Sequence, residues 1–374
     1  MAVNTQLKWA GNKIRAIPEL LAHLPEGERL VEPFAGSCAA MIDTRCFAPD
    51  VMNLVTVSGG KDSLAQWLLA IESGVKFEAA FADTGHEHPE TVAYLDYLET
   101  KLGPLRRVRA DFSQRIADKR TFVRDKWPVT LVRDLGFTEQ EAAMIVRRAL
   151  NALKPTGIPF LDMCIWKGTF PSTQRKFCSF ELKQIPMQEQ VVDRLIAEGK
   201  YVITWQGVRA QESAKRADLP EWEQGFDLGP GLSIFRPIIK WTHDEVFALA
   251  RRHGIKPNPL YQQGCSRVGC MPCVNVNKAE LGEIFTRWPE EISRVAEWER
   301  IVAMCSRRGN AAFFHSGMDP VKAEKDGSKV TLASHGIETY RDWALTTRGG
   351  RQFDMLAAMD NKSACSSVYL GVCE

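Results

Sequence analysis

The chain has 374 residues, 45% apolar and 25% charged, with a formal net charge of +2. That length can bury a full core, and the proportions are those of an ordinary soluble globular protein. No run approaches the roughly 18 apolar residues that a membrane span needs, and Met1–Lys8 lack the apolar core of a signal peptide, so the expectation is a cytoplasmic protein with no membrane partner. Ten cysteines then read as reduced thiols, metal ligands or redox groups rather than as a disulfide framework.

Residues 1–48 precede the first clear strand and form a segment of their own. From Met52 strand and helix alternate, which is the pattern of an α/β, doubly wound parallel sheet covered on both faces. Strands are expected at Leu54–Val57, Phe77–Ala82, Leu105–Arg109 and Tyr201–Trp205. Helices should follow the first three, with a further helix near Phe180–Glu198 leading into the fourth. The core domain is read as 49–260, with a helical insertion over about 113–177. A cysteine-rich region over 261–374 holds six of the ten cysteines. Basic residues cluster at Arg106-Arg107-Val108-Arg109, Lys119-Arg120, Arg147-Arg148 and Arg251-Arg252. Such pairs are either solvated helix faces or contacts to nucleic acid.

The most informative residues are Ser58-Gly59-Gly60-Lys61-Asp62-Ser63, between the apolar run Met52–Val57 and the helix-forming Leu64–Leu69. A strand, a glycine turn and a helix aim free backbone N–H groups and the positive end of a helix dipole at one point, which suits a phosphate. The glycines allow the close approach that such a nest needs. It is not a Walker A loop, because Asp62 follows the lysine and Val55 stands five residues before Gly60. In a parallel sheet, ligands bind at the carboxyl ends of the strands. The glycine loop, Asp83-Thr84-Gly85-His86-Glu87 and Gln206-Gly207-Val208-Arg209 all follow strand ends, so they are expected to share a crevice.

The hexapeptide resembles the pyrophosphate-binding loop of the ATP pyrophosphatase superfamily, whose members split ATP between the α and β phosphates. Phe81–Thr91 and Gly207–Ser213 with Lys215 and Arg216 are similar to the second and third signatures of its phosphoadenosine phosphosulfate (PAPS) reductase-like branch. Over about residues 52–300 the resemblance implies an adenine nucleotide alpha hydrolase-like fold. It further implies an ATP site built from Ser58, Gly59, Gly60, Lys61, Ser63, Asp83, Thr84, Gly207, Arg209, Glu212 and Arg216, with Mg²⁺ on the phosphates. Lys61, Asp62, Ser63 and Arg209 are the expected catalytic residues, stabilising charge on departing pyrophosphate. Asp62 reads as a metal or orienting ligand, and Arg209 offers a planar fork of donors. The plainer reading of Arg209 and Arg216 is an ion pair with Glu212 or Glu221. Reductases of the branch that use preformed adenylyl sulfates carry an altered loop and a terminal Glu-Cys-Gly-(Ile/Leu)-His motif. Here the loop is intact and that motif is missing.

Cys265, Cys270 and Cys273 form a Cys-x4-Cys-x2-Cys group, and three thiolates do not complete a Zn²⁺ or [4Fe–4S] site. Cys178, within Arg175–Pro186, resembles the cysteine of the Cys-x3-Lys-x2-Pro segment that supplies a cluster ligand in iron–sulfur adenylyl sulfate reductases and DNA phosphorothioation sulfurtransferases. Those reductases use a tandem pair there and this chain has one cysteine. The expectation is a [4Fe–4S] cluster on Cys178, Cys265, Cys270 and Cys273, with zinc as the alternative, since spacing does not separate the metals. Cys365 and Cys373 are either a mobile sulfur-carrying pair or inert. Cys38, Cys46, Cys164 and Cys305 read as small buried side chains.

Leu7–Lys13 and Leu30–Ser37 look like the start of a DNA adenine methyltransferase of the Dam type, part of its S-adenosylmethionine pocket. The chain has no Pro-Pro pair for the loop that grips a flipped base. The segment reads as a truncated relic or docking element, or as a chance likeness. A relic would point to a DNA-modification neighbourhood such as a phage or defence locus. Together these readings give an ATP-dependent sulfurtransferase acting on nucleic acid, expected to be DNA, or on a nucleotide. Its sulfur donor would be a partner such as a cysteine desulfurase, and a homo-oligomer is open. The alternatives are a thiol-dependent PAPS reductase and a non-catalytic nucleotide sensor associated with DNA.

Overall fold

The structure, a computed structural model, describes residues 29–31, 41–224, 231–265, 267–314 and 332–345. The chain divides into two compact units, one of residues 1–81, 96–106 and 189–257, the other of 82–95, 107–188 and 258–374. The helical insertion and the cysteine-bearing region thus belong to the same unit.

Six strands make one sheet: β1 (Val51–Val57), β2 (Phe77–Asp83), β3 (Leu105–Arg109), β4 (Tyr201–Trp205), β5 (Trp222–Glu223) and β6 (Leu232–Phe235). Their order is β3-β2-β1-β4-β6-β5. β1 runs parallel to β2 and to β4, and β4 parallel to β6, while β5 pairs antiparallel with β6. The sheet is therefore mixed and mostly parallel, where the expectation was wholly parallel. All four expected strands are present, and β5 and β6 extend the sheet beyond them.

Leu54 and Val55 of β1 and Val202 of β4 are fully buried, as strands covered on both faces should be. Each such side chain contributes about 1.5–3 kcal/mol of burial. A buried amide fixes the sheet's centre. Asn53 Nδ2 donates to Cys46 O at 2.8 Å and Lys76 O at 2.9 Å, and its Oδ1 accepts from Trp205 Nε1 at 2.9 Å. This ties residues 44–47, a 3-10 turn, to β1 and β4.

Helix α1 (Lys61–Ser73) starts at Gly60, carries Asp62 in its first turn and stops at Gly74, whose φ of 70° closes the C-terminus. It packs on α6 (His243–Arg252), and Glu72 binds Arg252 and His253. Helix α2 covers Pro89–Leu102. In the second unit α3 (Ser113–Leu135), α4 (Glu139–Ala152), α5 (Pro159–Lys167), α7 (Lys278–Arg287) and α8 (Pro289–Cys305) enclose a core that includes Ile116, Phe160, Phe170, Val295 and Phe313. Thr138 and Glu141 cap the start of α4 reciprocally. The helix expected near Phe180–Glu198 is observed at Phe177–Ala197, where α-helical turns alternate with π-helical turns at Phe180–Gln184 and Gln188–Val192. No helix among the described residues is long and apolar enough to cross a membrane.

Candidate functional site

The loop after β1 folds as a nest. Gly59 takes a φ of 76°, which L side chains rarely adopt. Gly60 caps α1 without a side-chain hydrogen bond, and the loop sits at the positive end of the helix dipole. Ser63 orders the loop: its hydroxyl donates to Gly60 O at 2.9 Å and accepts from the Ser58 amide and hydroxyl, each at 3.1 Å. Its one proton and its lone pairs are thus engaged within the loop.

Asp62 is the hub of the charges. One oxygen accepts from Arg209 Nε at 2.5 Å and the other lies 3.1 Å from Lys61 Nζ. The carboxylate therefore orients two cations. Arg209 is 5% exposed, so it is no surface ion pair with Glu212 or Glu221. The Glu212 carboxylate instead accepts from the Arg209 backbone N–H at 3.0 Å and pairs with Arg216. For Arg216 the plain ion pair is what forms. Gly207 belongs here for a steric reason. A Cβ on it would stand 2.8 Å from Asp62 O and 3.0 Å from Ser63 N, so the loop after β4 lies directly against the loop after β1.

His243, the first residue of α6, went unnoticed in the sequence. Burial lowers its pKa, and the Lys61 and Arg209 charges lower it further. Its signal was a capping box, Thr242 to Glu245, which marks a helix start but says nothing of neighbours 180 residues earlier.

Asp83 ends β2, and its carboxylate accepts from the Gly85 amide at 2.8 Å and faces Arg109 at 3.6 Å. Thr84, expected on the nucleotide, is fully buried. Its hydroxyl donates to Glu87 Oε1 at 2.6 Å and stands 3.6 Å from Cys270 Sγ. Gly85 has a φ of 68°, and a Cβ there would meet Pro159 Cδ at 2.9 Å.

Of the four cysteines read as metal ligands, three share one environment. Burial pushes the Cys270 thiol up to about 12, against the pull of Lys183. Cys178 is raised by burial and by Cys273, and again Lys183 opposes. The Lys183 ammonium is in turn raised first by Cys270 and then by Glu87, Cys178 and Cys273. All three cysteines are half-buried. Cys265 differs: it is buried in the core, and after burial its thiol answers to Glu280, Arg287, Glu90 and Glu283. The expected fourth ligand thus stands apart, because residues 260–265 turn inward to pack Leu260 and Cys265. Among the described residues no three His, Cys, Asp or Glu side chains form a metal-holding group. The three thiols are soft donors in chemistry, but they are not gathered into a metal-holding group. Counted from Cys178, the segment is Cys-x4-Lys183-x2-Pro186, so Ser179 stands where the tighter spacing has its cysteine.

Cys46, Cys164 and Cys305 are buried as expected. Cys38, Cys365, Cys373 and most of the methyltransferase-like segment lie outside the described residues.

Residues 52–276, more than half of the chain, match the phosphoadenosine phosphosulfate reductase domain, and residues 9–53 match the D12 class N6 adenine-specific DNA methyltransferase. An uncharacterized 37.8 kDa protein of Escherichia phage 186 is 61% identical over 89% of this chain and 100% of its own length. The adenosine 5'-phosphosulfate reductase of Allochromatium vinosum is 42% identical over 18% of this chain and 25% of its own. The retron Ec67 DNA adenine methylase of Escherichia coli is 52% identical over 14% of this chain and 21% of its own. The chain thus spans the phage relative fully and about a quarter or less of the reductase and the methylase.

Proposed function

The chain belongs to the phosphoadenosine phosphosulfate reductase domain family, and we propose that within it this protein is an ATP-dependent adenylylating enzyme that passes sulfur to a nucleic-acid or nucleotide acceptor. The observation that carries the reading is the Ser58–Ser63 loop, an ordered nest with Lys61 and Arg209 held on Asp62.

ATP would set its β and γ phosphates at the glycine loop and the N-terminus of α1, where the helix dipole is positive, with Mg²⁺ on the phosphate oxygens. An acceptor oxygen attacks the α-phosphorus, the bond to the bridging oxygen breaks, and pyrophosphate leaves with the electron pair. The loop amides and Lys61 meet the charge that grows on it, while Asp62 keeps Lys61 and Arg209 from drifting. A sulfur nucleophile then displaces AMP, which takes the former acceptor oxygen with it. Cys178, Cys270 and Cys273 are the groups that would hold a [4Fe–4S] cluster or Zn²⁺. Such a centre, when bound, supplies a thiophilic site for the incoming sulfur. Lys183 keeps positive charge beside these thiols. A donor such as a cysteine desulfurase would load the sulfur, and the methyltransferase-like segment favours DNA as acceptor.

ATP–pyrophosphate exchange tests the first half. Lys61→Ala and Asp62→Ala should each lower exchange by about 10²-fold or more, and unchanged exchange would sink the site assignment. Mass spectrometry of nucleosides from cells with and without the gene tests the acceptor. A second reading, thiol-dependent reduction of a phosphoadenylyl sulfate, is favoured by the likeness to adenosine 5'-phosphosulfate reductases. Thioredoxin-dependent sulfite release without exchange would select it.

A further inference from the structure

We propose that His86 and Arg294 are positioning residues that hold the thiols of Cys270 and Cys273 in one fixed arrangement, an inference that rests on the reading of these two thiols as part of the sulfur site. His86 is 1% exposed and lies among Phe160, Trp298 and Phe313, with ring centroids 4.2, 5.1 and 5.9 Å away. Its Nε2 is 3.0 Å from Pro272 O and its Nδ1 is 3.2 Å from Arg294 Nη1. A carbonyl only accepts and a guanidinium only donates, so the proton must sit on Nε2 and the lone pair on Nδ1. The ring is neutral and both nitrogens are satisfied. Arg294 also donates from Nη2 to Met271 O at 2.5 Å. The imidazole and the guanidinium therefore take the two successive carbonyls that separate the thiols.

Further backbone groups of the loop are held by the same short segment. Met271 N donates to His86 O at 2.9 Å, His88 N donates to Gly269 O at 3.3 Å, and Glu87 and Cys270 form an antiparallel bridge. Arg294 is fixed in turn by Glu291 at 2.9 Å and lies over the Trp298 ring at 4.6 Å. A core that needed only volume at residue 86 would use an apolar side chain, since burying an imidazole is costly unless each polar atom is met. Both ring nitrogens are met, one by the Pro272 carbonyl between the cysteines and one by Arg294, which itself holds the Met271 carbonyl. Residues 84–88 thereby serve the sulfur chemistry: Thr84 and Glu87 face the Cys270 sulfur, and His86 and His88 set its backbone.

The test uses the reduced full-length protein and phenylarsine oxide, an arsenical that binds tightly only when two thiols reach it together. His86→Leu should weaken arsenical binding by about tenfold or more, because it leaves Pro272 O and Arg294 Nη1 without partners. His86→Gln, whose amide can donate to Pro272 O and accept from Arg294, should bind within about threefold of wild type. Rates of single alkylation by iodoacetamide should change far less than arsenical affinity. If His86→Leu does not fold, Arg294→Met against Arg294→Lys makes the same comparison. The proposal is overturned if His86→Leu binds as wild type does, if His86→Gln is as weak as His86→Leu, or if wild type binds no tighter than Cys270→Ser. ATP–pyrophosphate exchange is read separately, so its absence would remove the adenylylation reading and leave the thiol result standing.

Discussion

At Gly207 a single missing methyl group keeps two loops together. The atoms that a Cβ would strike are the carbonyl of Asp62 and the amide of Ser63, which are backbone and cannot swing aside as a side-chain end can. Gly207→Ala must therefore push the loop after β4 away from the nest and carry Arg209 with it. The expected result is a loss of exchange of about 10²-fold, since displacements of about 1 Å at positioning groups have effects of that size. Stability should fall by only about 1–3 kcal/mol, the usual cost of overpacking. Exchange within threefold of wild type would show that the contact tolerates a methyl group. Gly207 was legible as part of a signature, but its steric role was not, because nothing in residues 206–209 announces the Asp62 carbonyl. Thr84 shows the opposite limit. Its place after a strand end reads as a ligand position, and only the fold shows its hydroxyl sealed between Glu87 and Cys270.

Between elements, buried polar side chains decide where segments meet. Asn53 holds residue 46, residue 76 and Trp205 at once. Asn53→Leu keeps the volume and orphans Cys46 O and Trp205 Nε1, while Lys76 O keeps the residue-53 backbone amide at 3.2 Å, which should cost about 2 kcal/mol or more. A urea midpoint that shifts without a change in slope would be the sign of it. Glu299 of α8 plays a similar part, accepting from the Phe313 and Ile337 amides at 2.7 and 2.9 Å. Burial raises its carboxyl to about 7, above the ordinary value of a free glutamate. The folded state then binds a proton that the unfolded chain has already released, so stability is fully present below about pH 4.5 and falls as pH rises toward about 7. Glu299→Gln should remove that part of the slope in melting temperature against pH. An unaltered slope would assign it to other groups.

The strands that sequence alone reveals are those with long β-branched and apolar runs. β1 and β4 are visible because burial on both faces demands Val, Ile and Leu at successive positions. β5 has two residues and β6 has four, beside Gly229-Pro230-Gly231, and runs so short carry no period. The π-helical turns in Phe177–Ala197 are equally silent, because an i to i+5 bond leaves no mark in residue type. They matter to the thiols, since Lys183 lies within the first of them.

For the whole molecule the question is whether the proposed adenylylation and the proposed sulfur delivery are separable. The groups proposed for the first, Lys61, Asp62 and Arg209, belong to one compact unit, and Cys178, Cys270, Cys273 and Lys183 belong to the other. Spacing could not sort the cysteines, because a Cys-x4-Cys-x2-Cys run looks the same whether its first thiol joins the others or packs into a core. Cys265 packs into the core, which predicts unequal effects along the run. Cys270→Ser should reduce sulfur incorporation into the acceptor by about 10²-fold or more, as loss of a reacting group does. Cys265→Ala should act through stability, lowering the melting temperature while incorporation by the folded fraction stays within about threefold. Lys61→Ala should abolish both exchange and incorporation, because no activated acceptor forms for sulfur to attack. Incorporation lost equally in Cys265→Ala and Cys270→Ser, at equal folded fraction, would instead join Cys265 to the working thiols and restore a four-cysteine centre.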